Sequence, residues 1–261
     1  MTASTPPAAK PDADRATLVR ARGLEVGYLG HAILPATDLE IRAGEFWAVI
    51  GRNGAGKTTW LKTLLGLLPP VRGKIERGRS DLRFSYLPQR KAIDELYPLL
   101  ARDVVRLGLD RGWSFLRPWL GGEPPEVGSA LEEMGVKDLA DEPFRRLSEG
   151  QKQRVLFARL ALSGAHIAVL DEPTSAMDQV AEHEAFRLLD GMRERHGLTV
   201  IIVSHYLGMV KRFADRALLL DSDTGTALTG PPDEVFSDER FQSRFSDSPP
   251  ALKSLNGAVD G

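Results

Sequence analysis

The run Gly51–Thr59, G-R-N-G-A-G-K-T-T, constrains this chain more than any other. It follows an apolar stretch, Phe46–Ile50, and precedes a helix-like stretch, Trp60–Leu68. Strand, glycine loop, helix is the context in which a loop of this spacing grips phosphate. Gly51, Gly54 and Gly56 let the backbone turn tightly and aim successive N–H groups at one anion. A helix beginning near Lys57 adds the positive end of its dipole. Lys57 is placed to reach the β- and γ-phosphates of a nucleoside triphosphate, and the Thr58 hydroxyl to ligate Mg²⁺. The candidate phosphate site comprises Gly51, Asn53, Gly54, Ala55, Gly56, Lys57, Thr58 and Thr59.

A second stretch, Ile167–Asp178, reads I-A-V-L-D-E-P-T-S-A-M-D. An apolar strand here delivers two adjacent carboxylates to its C-terminal end, where open α/β sheets bind their ligands. Asp171 is suited to hold the Mg²⁺ shell. Glu172 is suited to point at the γ-phosphate and polarise an attacking water. A third stretch, Leu147-Ser148-Glu149-Gly150-Gln151, leads a long helix with Ser148 as its N-cap. Its free N–H groups make a second anion site in a chain that already has one phosphate loop.

Composition narrows the class. With 42% hydrophobic and 27% charged residues, the 261-residue chain suits a globular protein that buries a core. The formal charge of −2, from 34 basic and 36 acidic residues, supplies no drive toward nucleic acid. There is no cysteine, which suits a reducing cytosol and excludes thiol chemistry. The five histidines His31, His166, His183, His196 and His205 are scattered without metal-ligand spacing. The opening residues lack a signal peptide, and no segment is long enough to span a bilayer. A role at a membrane therefore requires docking on a partner.

Along the chain, residues 1–16 read as a disordered tail. Short β-like runs at Leu18–Ala21, Leu24–Tyr28 and Asp38–Ile41 predict a small antiparallel sheet. The phosphate-loop helix is expected to stop at Pro69-Pro70, and Val71–Leu87 is strand-like. Helical periodicity follows at Asp103–Leu109, Val127–Met134 and Gln151–Leu162, with Asp110–Leu120 read as an aromatic loop packed on those helices. Then strands at Ile167–Leu170, Thr199–Val203 and Ala217–Leu220 alternate with a helix at Ala181–Arg195. Continuous apolar strands between helices predict a mostly parallel sheet covered on both faces. Residues from about Ser243 read as a loose tail.

The phosphate loop, Gln89, the L-S-E-G-Q run, the L-D-E-P strand end and His205 stand in one order along the chain. In that order the sequence resembles the ATP-binding cassette family over roughly residues 17–235. The resemblance implies an α/β fold: a P-loop NTPase, RecA-like core with an N-terminal antiparallel β subdomain and an inserted helical subdomain. The ATPase domain is expected over 17–242, with core segments 17–89 and 165–242, helices at 90–164 and a flexible tail at 243–261. It further implies a head-to-tail homodimer that traps two ATP molecules with Mg²⁺. Ser148, Gly150 and Gln151 would then grip the γ-phosphate bound to the other protomer's loop. Tyr28 matches the aromatic that stacks on adenine. Gln89 matches the residue that contacts Mg²⁺ and the attacking water and reports to the membrane partner. His205 matches the switch histidine on the γ-phosphate, and Asp178 the loop that crosses the dimer interface. Three residues depart from the family's usual pattern: Glu149 where Gly is more common, Tyr206 where Asp is, and Trp60 where a smaller apolar residue is. None removes a catalytic group.

Within the family, Tyr86–Arg90, the Asp103-Val104-Val105…Gly108 spacing and Val136–Leu147 look like subunits that power import of metal ions or metal chelates. That implies zinc, manganese or iron as cargo, carried by permease subunits and an extracytoplasmic substrate-binding protein. The chain would sit on the cytoplasmic face of the inner membrane, with Arg90–Leu107 receiving the permease. An exporter motor, and a soluble cassette ATPase not coupled to transport, are the alternative readings.

Overall fold

Five consecutive apolar residues, Phe46–Ile50, form strand β5, and every one is buried. A strand buried on both faces must lie inside a sheet covered on both sides. In the computed structural model, which describes residues 15–88, 99–109, 124–174 and 177–245, β5 is the third of six strands. Its neighbours are β10 (Arg216–Asp221) and β9 (Thr199–Val203), followed outward by β8 (Ile167–Asp171) and β7 (Phe84–Leu87). These five are mutually parallel; β11 (Thr226–Gly230) closes the β10 edge antiparallel.

Alternation along each strand sorts the core into two layers. Phe46, Ala48 and Ile50 join Ala168, Leu170, Val200 and Ile202 on one face. There they pack against helices α2 (Ala101–Arg106), α3 (Pro125–Glu133), α4 (Glu149–Leu162) and α5 (Gln179–His196). Trp47 and Val49 join Val169, Ile201 and Leu218 on the other face. That side is covered by α1 (Lys57–Leu65) and a three-stranded antiparallel sheet, β4-β1-β6. Its strands are β1 (Thr17–Glu25), β4 (Thr37–Arg42) and β6 (Arg72–Arg77), and a small hairpin of β2 (Gly27–Tyr28) and β3 (His31–Ala32) lies beside it. Short helices α6 (Leu207–Phe213), α7 (Pro232–Ser237) and α8 (Glu239–Phe245) are the last helices among the described residues.

Several expectations need correction. The stretch Val71–Leu87 is two strands in two different sheets, because β6 pairs with β1 whereas β7 pairs with β8. Helix α1 stops at Leu65, before the prolines. Gly66 adopts φ 79°, and Leu67 N–H caps the Lys62 carbonyl at 2.9 Å. A left-handed glycine closes a helix without the steric cost that a side chain would add. Arg15 and Ala16 are tied in rather than loose: Ala43 N–H donates to the Ala16 carbonyl at 2.9 Å, and Arg15 pairs with Asp215 at 3.8 Å. Ser243–Phe245 belong to α8, where Phe245 stacks on Phe241 at 4.6 Å between centroids. Gln89, the aromatic stretch 110–120, the docking residues 90–98, and Ser175 and Ala176 lie outside the described residues.

Trp60, one of the departures noted above, is 1% exposed between α1 and the sheet, and its Nε1 has no partner among the described residues. We expect Trp60→Ala to cost about 3–5 kcal/mol in a urea titration, the usual size for emptying a site this large. Trp60→Phe should cost much less, because it also removes an unpartnered buried donor carrying a penalty of about 1–3 kcal/mol. Equal losses in the two variants would contradict this account of the indole.

Candidate functional site

The loop after β5 is shaped by close approach. A Cβ on Gly51 would stand 2.3 Å from the Leu220 carbonyl of β10, so only glycine fits there. Gly54 and Gly56 take φ 83° and 90°, and α1 begins directly after them. Ala55 is buried, whereas Asn53 is exposed on the loop's outer side. Lys57, 6% exposed, folds back over the loop, and its Nζ donates to the carbonyls of Gly51 at 2.9 Å and Arg52 at 3.0 Å. Burial lowers its pKa, with the carboxylates of Glu172 and Asp171 opposing.

Strand β8 brings its two acids to the same place. Parallel pairing of β8 with β9 sets Asp171 beside Val203, so the residues that follow each strand emerge at one level. Asp171 Oδ2 accepts from the Thr58 hydroxyl at 2.8 Å. Burial raises its pKa; the Thr58 bond pulls the other way. Glu172 has φ 51°, rare for a residue with a Cβ. In that conformation its carboxylate lies between Lys57 Nζ at 3.8 Å and His205 Nε2 at 3.4 Å. Strained backbone of this kind concentrates at functional sites.

Thr58 and Asp171 thus form one hydrogen-bonded pair, and Lys57, Glu172 and His205 a second group of contacts, with the charge of Asp171 also acting on Lys57. Tyr28, half exposed on the β2–β3 hairpin, reaches α1 through a 3.0 Å bond between its hydroxyl and that of Thr59. Ser148 and Gln151 sit at the start of α4. Gln151 N–H donates to Ser148 Oγ at 3.3 Å, and Ser148 N–H to Gln151 Oε1 at 2.9 Å. A Cβ at Gly150, in the same turn, would meet nothing within 4 Å. The Glu149 carboxylate is held by Lys152 at 3.3 Å. Asp178 caps α5, accepting the Ala181 N–H at 2.8 Å.

Two site residues were missed from sequence. Tyr86 on β7 hydrogen-bonds Asp171, and its phenol is pushed up to about 12, chiefly by burial. The signal available was its alternate position on a strand ending beside Leu87-Pro88. Glu182 on α5 is 2% exposed and accepts from the Thr174 hydroxyl at 3.4 Å, two residues beyond Glu172. Burial pushes its carboxyl up to about 8; the pKa of Tyr206 is raised chiefly by its own burial and secondarily by the Glu182 charge. A carboxyl titrating near 8 when folded and near 4.5 when unfolded binds more protons in the folded chain across that window. Its contribution to stability therefore falls as pH rises from 4.5 to 8. Glu182→Gln cannot ionise, so its stability relative to the parent should increase between pH 5 and pH 9 in urea titrations. A difference that stays constant over that range would refute the shift.

Comparison with known proteins agrees with this geometry. Residues 34–175, just over half of the chain, match the ABC transporter family. The chain is 36% identical over 237 residues to the zinc import ATP-binding protein ZnuC of Pseudomonas putida, covering 90% of this chain and 86% of that one. It is 37% identical over 238 residues to the protein of the same name from Magnetococcus marinus, covering 91% and 85%. Among solved structures, one described as a metal-chelate type ABC transporter in an inward-facing conformation superposes with a TM-score of 0.75 at 26% identity, over 88% of this chain and 89% of that one. The ADP-bound ATP-binding cassette MJ1267 gives 0.73 at 19% identity over 88% and 99%, a likeness of fold. Likeness of this extent, on a chain whose phosphate loop and carboxylate strand meet at one sheet end, makes it a member of the ABC transporter family and one of its ATP-binding subunits.

Proposed function

We propose that this chain hydrolyses ATP as a head-to-tail homodimer and thereby drives import of zinc, or another metal ion or chelate, through membrane permease subunits. The observation that carries the hydrolytic part is the position of Glu172, held by its left-handed backbone between Lys57 and His205 beside the Thr58–Asp171 pair. Thr58 and Asp171 offer oxygen donors of the kind Mg²⁺ selects, on a carboxylate whose charged form burial disfavours until a cation arrives. That ion, when bound, supplies charge neutralisation at the phosphate oxygens.

Lys57 exchanges the Gly51 and Arg52 carbonyls for phosphate oxygens, since both are acceptors of similar reach. Glu172, released from Lys57, then takes a proton from water as the water oxygen bonds to the γ-phosphorus and the bond to the β-phosphate oxygen breaks. His205, 43% exposed and touching Glu172, contributes a hydrogen bond at the γ-phosphate edge. Tyr28 offers its ring to adenine. Gln89 is assigned a place beside Mg²⁺ and the water by the family resemblance alone.

The second phosphate grip is assigned to Ser148, Gly150 and Gln151 of the opposite protomer, with Asp178 at the crossing loop. The capped start of α4 supports this, because the Glu149 carboxylate is drawn toward Lys152 instead of crowding the turn. Attachment through the permease at the cytoplasmic face rests on the family relationship; among the described residues no helix is long and apolar enough to cross a membrane. The import direction and the metal cargo rest on the relatives named for zinc import. An extracytoplasmic binding protein would complete the complex.

We expect Glu172→Gln to retain ATP binding and lose phosphate release by about 10²-fold or more, and to accumulate as an ATP-bound dimer in size-exclusion chromatography. Turnover at the parent rate would remove Glu172 from the chemistry. Ser148→Arg should block ATP-driven dimerisation while the monomer still binds nucleotide. Normal dimers in that variant would exclude the in-trans grip.

A further inference from the structure

The turn from β10 to β11, Asp221–Gly225, reads D-S-D-T-G and belongs to none of the elements discussed above as binding phosphate. Parallel pairing of β10 with β5 sets Leu219 beside Ile50, so β10 ends alongside the phosphate loop. The Leu220 carbonyl packs on Gly51, and the Ser222 hydroxyl donates to the Gly54 carbonyl at 3.2 Å. A trans peptide points its carbonyl and its N–H in opposite directions. The N–H across that same peptide, on Ala55, donates to the Arg52 carbonyl at 3.1 Å. The Gly54–Ala55 plane is therefore held from both ends, and the Arg52 carbonyl on its inner side is also an anchor for Lys57.

Ser222 is itself placed by a carboxylate. Asp221, 6% exposed, accepts the N–H groups of Asp223 at 2.9 Å and Thr224 at 3.4 Å, which folds the turn around it. Arg244 of α8 grips Asp221 with two nitrogens: Nε on Oδ2, and Nη2 on Oδ1 at 3.0 Å. The same Nη2 reaches Asp223 at 2.8 Å. Two-pronged contact of this kind on a buried carboxylate is stronger and more directional than an exposed ion pair. Arg244 holds the Asp221 carboxyl below the usual carboxylate range. Helix α8 is fixed in turn by Phe241, 1% exposed and stacked between Phe236 and Phe245.

We propose that Ser222, Asp221 and Arg244 are positioning residues for nucleotide, through which helix α8 near the end of the chain sets the shape of the phosphate loop. This rests on the reading of Gly51–Thr59 as the ATP site. The contact acts on the ground-state grip of the loop and leaves Glu172 untouched, so it alters affinity while sparing the chemical step.

The test measures binding of a fluorescent ATP analogue with Mg²⁺, steady-state kcat and KM for ATP, and Tm, all on the full chain. Ser222→Ala should bind the analogue about three- to tenfold more weakly, the size of one lost hydrogen bond. Its kcat at saturating ATP should stay within about twofold of the parent, and its Tm should not move. Ser222→Thr, which keeps the hydroxyl, should recover affinity. Arg244→Ala should show the same rise in KM, and the Ser222→Ala/Arg244→Ala double variant should be no weaker than the weaker single variant. Parent-like affinity in Ser222→Ala overturns the proposal even if Arg244→Ala proves too unstable to assay. Losses that add in the double variant overturn the route through Arg244. A folded parent protein that fails to bind the analogue, like the control Lys57→Ala, would instead overturn the ATP reading beneath it.

Discussion

The hydrogen bond from Thr58 to Asp171 joins residues 113 apart in sequence, and it is where the two halves of the sheet's chemistry meet. Neither residue is brought there by local preference. Thr58 is carried by the first turn of α1, and Asp171 is the last residue of β8. They meet because β5, β9 and β8 are consecutive parallel strands whose C-terminal ends lie at one edge. The strand interiors are apolar and buried, so they supply position rather than chemistry. The polar groups of the site stand where β5 and β8 run out, at Lys57, Thr58, Asp171 and Glu172, and the parallel register gathers those endings.

Gathering them has an electrostatic cost. Lys57 and Asp171 are both nearly excluded from solvent, and burial works against the charged form of each. Breaking such a cluster by removing one member leaves the others uncompensated, whereas the intact cluster gains only modestly over water. The arrangement is therefore better explained by what it holds ready than by what it adds to stability. Glu172 makes the same point in its backbone. A left-handed φ of 51° at a residue with a full side chain is unfavourable, and here it aims a carboxylate at both Lys57 and His205.

How much of this was legible in the sequence follows from range. Gly51–Thr59 and Ile167–Glu172 carry their context within a few residues, so strand, loop and helix could be read directly. Their meeting followed from the rule that parallel sheets bind at one end. Glu182 was invisible because a lone acid on a helical pattern looks like a solvated face; only packing beneath Thr174 shows that it is buried. Tyr86 was seen as part of a strand, and its hydrogen bond to Asp171 depended on knowing that β7 lies beside β8. The end of α1 was misplaced for a different reason. Two prolines are strong stops, but Gly66 acts first, because a left-handed cap satisfies the last carbonyls that prolines cannot reach. Val71–Leu87 read as one strand since periodicity does not register a change of sheet. Gln89, Ser175 and Ala176 lie beyond what the structure describes.

Helix starts give the last constraint. The starts of α1, α4 and α5 differ in how their first N–H groups are satisfied. At α1 the preceding glycines leave the N–H groups bare, with no side-chain cap. At α5 the Asp178 carboxylate already satisfies the Ala181 N–H and brings a negative charge, so that start is closed to an anion. At α4 the cap is the neutral Ser148, with Gln151 closing the other bond, and Gly150 leaves open space beside it. The same first turn carries the Glu149 carboxylate, whose charge is offset by Lys152 at 3.3 Å. Helix α4 packs against α2 and α3 in the helical layer, while Lys57 is fixed at the sheet's edge. On the proposed reading, a second copy of the chain would bring its α4 to the first copy's loop, so that two grips of the same sign meet one phosphate.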